Sequence, residues 1–288
     1  MQIGVVYPQI ELGGDPSAVR RIGEAVEDLG FDYLLAYDHV LGAVHADRTP
    51  QLSVPFTEHD PFHDPFVMFG YLAGITERIG FATGVLVLPQ RQTALVARQA
   101  ADVDLLSGGR LRLGVGVGSN PVEYEALGQD FRTRGAREEE QIDLLRRLFN
   151  EPVVDFSGRF DRVDRAALIP KPRRPIPIWL GGLGEKAFER AARLADGFIF
   201  VGACGIDHAV DAWKSLRERV SSHGRSVEDF GAEYVAFSQG VDDLTEDVEA
   251  WRAVDGTHLS IATMGFGLDS VDAHIDYIAS AAGALRLS

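Results

Sequence analysis

The sequence of 288 residues predicts an α/β fold, a single (β/α)8 TIM barrel. Short apolar runs, typical of buried parallel strands, alternate with amphipathic segments along the whole chain. Eight such units match a barrel of roughly 250 residues, and no change in composition divides them. A doubly wound open sheet is the alternative, but the turn after the first strand, Pro8–Glu11, lacks the glycines of a dinucleotide-binding loop.

The composition excludes several functional classes. The chain has 28 Lys and Arg against 43 Asp and Glu, which gives a formal net charge of −15. Nucleic-acid binding usually shows the opposite sign. The single cysteine cannot form an intramolecular disulfide. The sequence shows no signal peptide and no run of ~20 apolar residues, so we expect a cytoplasmic protein without nucleic-acid or membrane partners.

The first half of the barrel is predicted from apolar runs and helix-capping residues. Asp15 and Pro16 are a typical N-cap and first helical residue, and Gly30 is suited to end the same helix. The predicted strands are Ile3–Gln9, Tyr33–His39, Ile79–Leu88 and Arg110–Val117. The predicted helices are Pro16–Leu29, Pro65–Glu77, Thr93–Leu106 and Arg134–Phe149.

The second half continues the same alternation. Its predicted strands are Ile178–Gly181, Gly197–Val201, Ala232–Ser238 and His258–Met264. Its predicted helices are Glu185–Ala195, Asp207–His223, Thr245–Val254 and Ser270–Ala282. Together the two halves supply the eight strand–helix units of one barrel.

Two insertions interrupt the alternation, so we expect residues 1–288 to form one domain with insertions at about 40–64 and 151–175. The first follows strand two and is rich in histidine and proline. Loops of this length are usually functional, and we expect this one to shape the substrate pocket. The second precedes strand five, and its VVDFSGRF pattern predicts a hairpin around Ser157 and Gly158.

The active site of a TIM barrel lies at the C-terminal ends of its strands. The predicted strand ends are rich in glycine and poor in carboxylates. They offer no pair of acids for glycoside hydrolysis, no ligand cluster for a metal and no lysine for a Schiff base. Glycine lets a ligand approach the backbone closely. We therefore expect no metal site, and a large, flat or phosphorylated cofactor.

Five blocks of sequence carry a family resemblance. They are Ile3–Gln9 (IGVVYPQ), Leu29–Val40, Phe81–Arg91, Leu106–Gly128 and Pro170–Phe198. In this order and spacing they resemble the luciferase-like monooxygenase superfamily, and more closely its branch that depends on the deazaflavin coenzyme F420. The resemblance implies a TIM barrel that binds F420 or a flavin at the strand ends and transfers a hydride. It also suggests a homodimer.

The resemblance implies particular site residues. His39 would lie beside the deazaflavin ring as proton donor or acceptor, and Asp38 would orient it or cap a turn. Gly84 and Val85 match a bulge that often carries a non-prolyl cis peptide behind the ring. The resemblance implies two further cofactor contacts. A loop at the ribityl chain and tail consists of Gly116, Gly118, Ser119 and Asn120. A phosphate-binding loop consists of Gly181, Gly182 and Leu183.

Three functions follow from this reading of the sequence. The first is an F420-dependent oxidoreductase that transfers a hydride to or from a small organic substrate. The second is an FMN-dependent monooxygenase of the same fold, and the third is a non-catalytic barrel paralogue. F420 is an anion, so the net charge of −15 would repel it slightly. Binding would then depend on local features such as backbone N–H groups and a helix N-terminus.

Overall fold

The computed structural model describes residues 1–52 and 54–287. Its strands are β1 Gln2–Val6, β2 Tyr33–Ala36, β3 Gly80–Thr83, β4 Leu86–Val87, β5 Leu111–Gly116, β6 Val154–Ser157, β7 Arg162–Ala166, β8 Ile178–Gly181, β9 Gly197–Val201, β10 Gly231–Ala236 and β11 His258–Ile261. Its helices are α1 Pro16–Asp28, α2 Pro65–Ala73, α3 Thr93–Leu106, α4 Pro121–Ala126, α5 Arg134–Asn150, α6 Glu185–Leu194, α7 Ile206–Ser222, α8 Val241–Ala253 and α9 Val271–Leu285.

The predicted barrel is confirmed. Nine strands form one sheet in the order β3-β2-β1-β11-β10-β9-β8-β5-β4, and pairing between β3 and β5 closes it. All of its pairings are parallel. β3 and β4 follow each other in the chain and both pair with β5, so together they count as one barrel strand. The closed barrel therefore has eight strands, the number that the sequence predicts.

Two apolar layers hold the barrel together. Successive residues of a strand point to opposite faces of the sheet. Val5 and Leu34 accordingly pack in the large cluster between the strands and the helices. Their neighbours Val6 and Leu35 pack in a smaller cluster inside the barrel. The interior is thus filled by side chains, and space for a ligand remains at its ends.

The helix starts follow the predicted capping. The side chain of Asp15 accepts a hydrogen bond from the Ser17 backbone N–H at 2.8 Å, and Pro16 opens α1. Asp64 caps α2 in the same way, accepting from the backbone N–H groups of Phe66 and Val67. None of the described helices is both long enough and apolar enough to cross a membrane.

Three features depart from the sequence prediction. The predicted strand Ile79–Leu88 is broken into β3 and β4 at Gly84 and Val85, and continues as a 3-10 turn. The helix α4 was not predicted. Several strands end two or three residues earlier than predicted; β2, for example, stops at Ala36 rather than His39.

The two insertions differ in structure. The second contains the predicted hairpin, in which β6 and β7 pair antiparallel. The first contains one isolated bridge between Ala43 and Thr57 and is fastened at its ends. Gln9 does part of this work: its side chain donates to the carbonyl of Tyr37 and accepts from the backbone N–H of His63, both at 2.8 Å. These bonds hold the insertion against the mouth of the barrel.

Candidate functional site

A cavity of about 450 Å³ lies at the C-terminal ends of the barrel strands. Small-molecule and cofactor sites typically enclose about 300–1,000 Å³. The first insertion supplies Pro55 and Phe56 to its lining. Six residues implied by the family resemblance also line it: Asp38, His39, Gly84, Val85, Gly118 and Ser119.

His39 follows β2 and is held between two aromatic rings. The centroid of its imidazole lies 4.9 Å from that of Phe56 and 4.8 Å from that of Phe62, both in edge-to-face geometry. Both phenylalanines belong to the first insertion, so the insertion fixes the orientation of the imidazole. The His39 side chain is 19% exposed, which leaves part of its ring open to the cavity.

Glu123, on α4, is the main site residue that the sequence reading missed. Its Oε2 lies 3.4 Å from Nδ1 of His39. Its Oε1 accepts the backbone N–H groups of Val40 and Leu41 at 2.5 and 3.1 Å. The sequence did contain a signal for this helix. Asn120 and Pro121 are a typical N-cap and first helical residue directly after a barrel strand, and Glu123 is an acid in the first turn of that helix. Without α4 in the prediction, Glu123 had no assigned position.

The protonation of this pair follows from its surroundings. Burial acts to raise the pKa of Glu123, which is 1% exposed, but the contact with His39 and the two backbone N–H groups outweigh burial and hold that pKa below its usual range. Glu123 is therefore a carboxylate at neutral pH. No hydrogen-bond partner of Nε2 of His39 occurs among residues 1–52 and 54–287, so this nitrogen can serve a ligand.

Asp38 has a different set of partners. Its carboxylate accepts the backbone N–H of Val87 at 2.9 Å and two N–H groups of Arg91 at 2.7 and 3.3 Å. Arg91 also reaches the carboxylate of Asp64, the cap of α2, at 3.1 Å. Asp38 is 2% exposed. These contacts tie the end of β2 to β4 and to α2, and place Glu123, rather than Asp38, against the imidazole of His39.

The glycines implied by the resemblance surround the break between β3 and β4. The Gly84–Val85 peptide bond is cis, as the resemblance implies. A Cβ at Gly116 or Gly181 would lie 2.5 or 2.6 Å from a methyl group of Val85, closer than side-chain carbon atoms can approach. Gly116 and Gly181 thus make room for Val85, which in turn lines the cavity.

The loop after β5 leads from the cavity into α4. Gly118 has φ of +60°, a conformation that favours glycine, and Ser119 is exposed beside it. Asn120 is 3% exposed and caps α4 by accepting the backbone N–H of Val122. Its amide also donates to the carbonyl of Leu41. Asn120 thus joins this loop to the first insertion and positions Glu123.

The implied phosphate-binding loop lies at the start of α6. Gly182 has φ of +152° and Leu183 is 77% exposed. Gly184 precedes the helix and gives no side-chain cap, so the N-terminal N–H groups of α6 are available to an acceptor. Glu185 in the first turn pairs with Arg219 of α7. Gly181, Gly182 and Leu183 are not among the described residues that line the 450 Å³ cavity.

These residues fit a ring-shaped cofactor with an anionic tail. The cis peptide and the two glycines packed on Val85 hold this side chain at the cavity wall, where it would back a flat ring. The uncapped start of α6 presents N–H groups that would suit a phosphate. Val85 and His39 line the same cavity.

Comparison with known proteins gives a consistent result. The model of the luciferase-like monooxygenase family matches residues 2–279. An uncharacterised protein of Mycobacterium tuberculosis is 35% identical over 203 residues, which cover 68% of this chain and 70% of that protein. An F420-dependent glucose-6-phosphate dehydrogenase of Nakamurella multipartita is 27% identical over 246 residues, covering 83% and 69%.

A solved structure shares the same fold. It is an F420-dependent secondary alcohol dehydrogenase in complex with an F420–acetone adduct, with a TM-score of 0.79 and 16% identity, and the match covers 99% of each chain. At this identity the likeness extends to the fold. It agrees with the closed parallel barrel described above.

Proposed function

This chain belongs to the luciferase-like monooxygenase family, and we propose that it is an F420-dependent oxidoreductase that transfers a hydride to or from a small organic substrate. Among its relatives are F420-dependent dehydrogenases. The observation that carries the proposal is the pair of His39 and Glu123, which lies in one cavity with the cis peptide at Gly84 and Val85.

In this proposal His39 handles the proton that accompanies the hydride. When bound, F420 supplies the deazaflavin carbon C5 that accepts or donates the hydride. Nδ1 of His39 faces the carboxylate of Glu123, which leaves Nε2 for the substrate. Imidazole exchanges protons readily near neutral pH, which suits it to general acid–base work.

The same proposal gives the remaining residues supporting roles. Gly84 and Val85 back the cofactor ring, and Gly118 and Ser119 border its chain. The start of α6, after Gly182 and Leu183, offers N–H groups to the phosphate. Asp38, Arg91 and Asp64 hold the elements around the ring in place.

A titration with the two candidate cofactors tests this proposal. Purified chain is titrated separately with F420 and with FMN while the fluorescence of each cofactor is followed. We expect F420 to bind at micromolar concentration and FMN to bind at least tenfold more weakly. Tighter binding of FMN would replace the proposal with a flavin-dependent monooxygenase. Binding of neither cofactor would overturn both.

A matched variant locates the binding. Gly116→Val places methyl groups against Val85, where even a Cβ would lie 2.5 Å from a methyl carbon. We expect the variant to lose at least tenfold in affinity for F420, because the wall behind the ring shifts. Gly224→Ala, at an exposed turn remote from the cavity, is the control and should bind as the wild type does.

A further inference from the structure

We propose that the cavity selects an uncharged, mainly apolar substrate with one alcohol or carbonyl group, and discriminates against phosphorylated or carboxylated compounds. The reaction in this statement rests on the proposed function. The binding selectivity is a property of the chain's own residues and can be measured separately.

Much of the cavity wall is apolar. Side chains at or just after the ends of β9, β10 and β11 contribute to it: Val201, Ala203, Phe237 and Met264. Phe56 and Pro55 of the first insertion extend this surface over the mouth. An apolar molecule placed here removes its surface from water at about 25 cal/mol per Å². A hydrated charge would lose its water here without receiving a partner.

No lysine or arginine occurs among the described residues that line the cavity. Phosphate recognition in proteins generally uses such side chains or a helix N-terminus. The arginine attached to this region, Arg91, has a side chain only 13% exposed and is already bound by Asp38 and Asp64. Its positive charge is therefore already neutralised by these two carboxylates and is not available to a substrate.

The helix that starts at the cavity also disfavours anions. The first turn of α4 is capped by Asn120, whose side chain occupies the backbone N–H of Val122. The same turn carries the ionised Glu123. A phosphate or carboxylate near His39 would therefore meet a negative charge where an anion site requires positive groups.

Nε2 of His39 is thus a polar atom that a substrate in this cavity can use, beside the hydroxyl-bearing side chains of Tyr37 and Ser119. An alcohol hydroxyl can donate to it, and a carbonyl can accept from its protonated form. In the oxidative direction, bound F420 would supply the acceptor for the hydride of the carbinol C–H bond. The O–H proton would pass to Nε2 of His39 as the C=O bond forms. His39 then returns the proton to solvent, and the reverse reaction reduces the carbonyl.

This selectivity would separate the chain from its 27%-identical relative named for glucose-6-phosphate. A sugar phosphate presents several hydroxyl groups and a double negative charge. Neither finds partners on a wall of Val201, Phe237 and Met264. We therefore expect the two proteins to share the hydride chemistry and to differ in the substrate.

A matched pair of probes tests the inference. Cyclohexanol and cyclohexyl phosphate share the same ring and differ by the phosphate group. Their binding is measured by saturation-transfer NMR on the chain alone and on the chain saturated with F420. We expect cyclohexanol to bind at least tenfold more tightly in both cases. Equal or tighter binding of cyclohexyl phosphate, or no binding of cyclohexanol, would overturn the inference.

Two variants at one exposed position show where the probe binds. Ala203→Trp narrows the mouth, and we expect it to weaken cyclohexanol binding at least tenfold. Ala203→Lys supplies the missing cation, and we expect it to improve cyclohexyl phosphate binding at least fivefold. Unchanged affinities in both variants would place the probe elsewhere and overturn the inference. If F420 fails to bind while the probe selectivity holds, the proposed function fails and this inference survives.

Discussion

Two of the buried carboxylates with basic partners, Glu233 on β10 and Glu123 on α4, differ in their surroundings. Glu233 is fully buried. Its Oε1 accepts the hydroxyl groups of Tyr33 at 2.7 Å and Ser260 at 2.5 Å, and its Oε2 lies 2.8 Å from Arg112. The Arg112 guanidinium lies against the rings of Tyr33 and Trp179, at 4.8 and 4.1 Å from their centroids. The Arg112 side chain is only 12% exposed, and neither Arg112 nor Glu233 is among the described residues that line the cavity.

Glu123, at the mouth, has a partner of another kind. Its partner His39 carries an imidazole, a type of side chain that can gain or lose a proton at physiological pH, whereas an arginine keeps its charge. The imidazole contacts Glu123 on one side and borders the cavity on the other. The other carboxylate oxygen holds the backbone of the first insertion. The comparison teaches that burial of a charge does not itself mark a functional site. A partner that can change its charge and can be reached by a ligand does.

The largest expected effect comes from removing His39, the member of the His39–Glu123 pair that borders the cavity. His39→Ala removes the proposed proton donor and acceptor, so we expect turnover to fall by about 10²–10⁴-fold. F420 affinity should change less than threefold, because the proposed function assigns the backing of the ring to Val85 rather than to His39. Steady-state turnover and a fluorescence titration measure the two quantities. Unchanged turnover would remove His39 from the mechanism.

The next largest effect is a loss of stability when the buried pair of Glu233 and Arg112 is broken. Glu233→Ala leaves Arg112 buried without its counter-charge, which typically costs about 3–5 kcal/mol of folding free energy. Urea unfolding of the variant and the wild type measures this loss. The turnover of the fraction that remains folded should stay within about twofold, in contrast to His39→Ala. A loss of stability below about 1 kcal/mol would show that Glu233 is not the partner on which Arg112 depends.

Much of this arrangement is predictable from the sequence, and the reason for the remainder is physical. The alternation of Val5 with Val6 and of Leu34 with Leu35 specifies the strands and the two layers of the core. His39 follows from its place at a strand end. Glu123 does not, because its partners are 84 and 83 residues away in the chain, as the difference from His39 and from Val40 shows. Such a contact depends on the closure of the barrel and on the path of the insertion.

A smaller effect separates positioning from proton transfer. Glu123→Gln keeps the size and hydrogen-bonding capacity of the side chain and removes its charge. We expect about a tenfold loss in turnover, with little change in the Michaelis constant. Turnover and the Michaelis constant of the variant and the wild type are measured at several pH values. Turnover equal to that of the wild type at every pH would remove the charge of Glu123 from the mechanism. Glu123→Asp, which restores the charge, is the matched control.

The smallest effect is the pH dependence of stability at the same residue. The pKa of Glu123 is lower in the folded chain than its ordinary value of 4.5. Its ionised form therefore stabilises the fold fully above that ordinary value, and the contribution is lost as pH falls through the folded pKa. The difference in unfolding free energy between wild type and Glu123→Gln should thus shrink as the pH is lowered from about 5 toward 3. Because Glu123 holds Val40 and Leu41, the protection of these two amides, relative to their intrinsic exchange rate at each pH, should fall over the same acidic range. A difference that grows with acidity would contradict the lowered pKa and, with it, the account of Glu123 as the charge that supports His39.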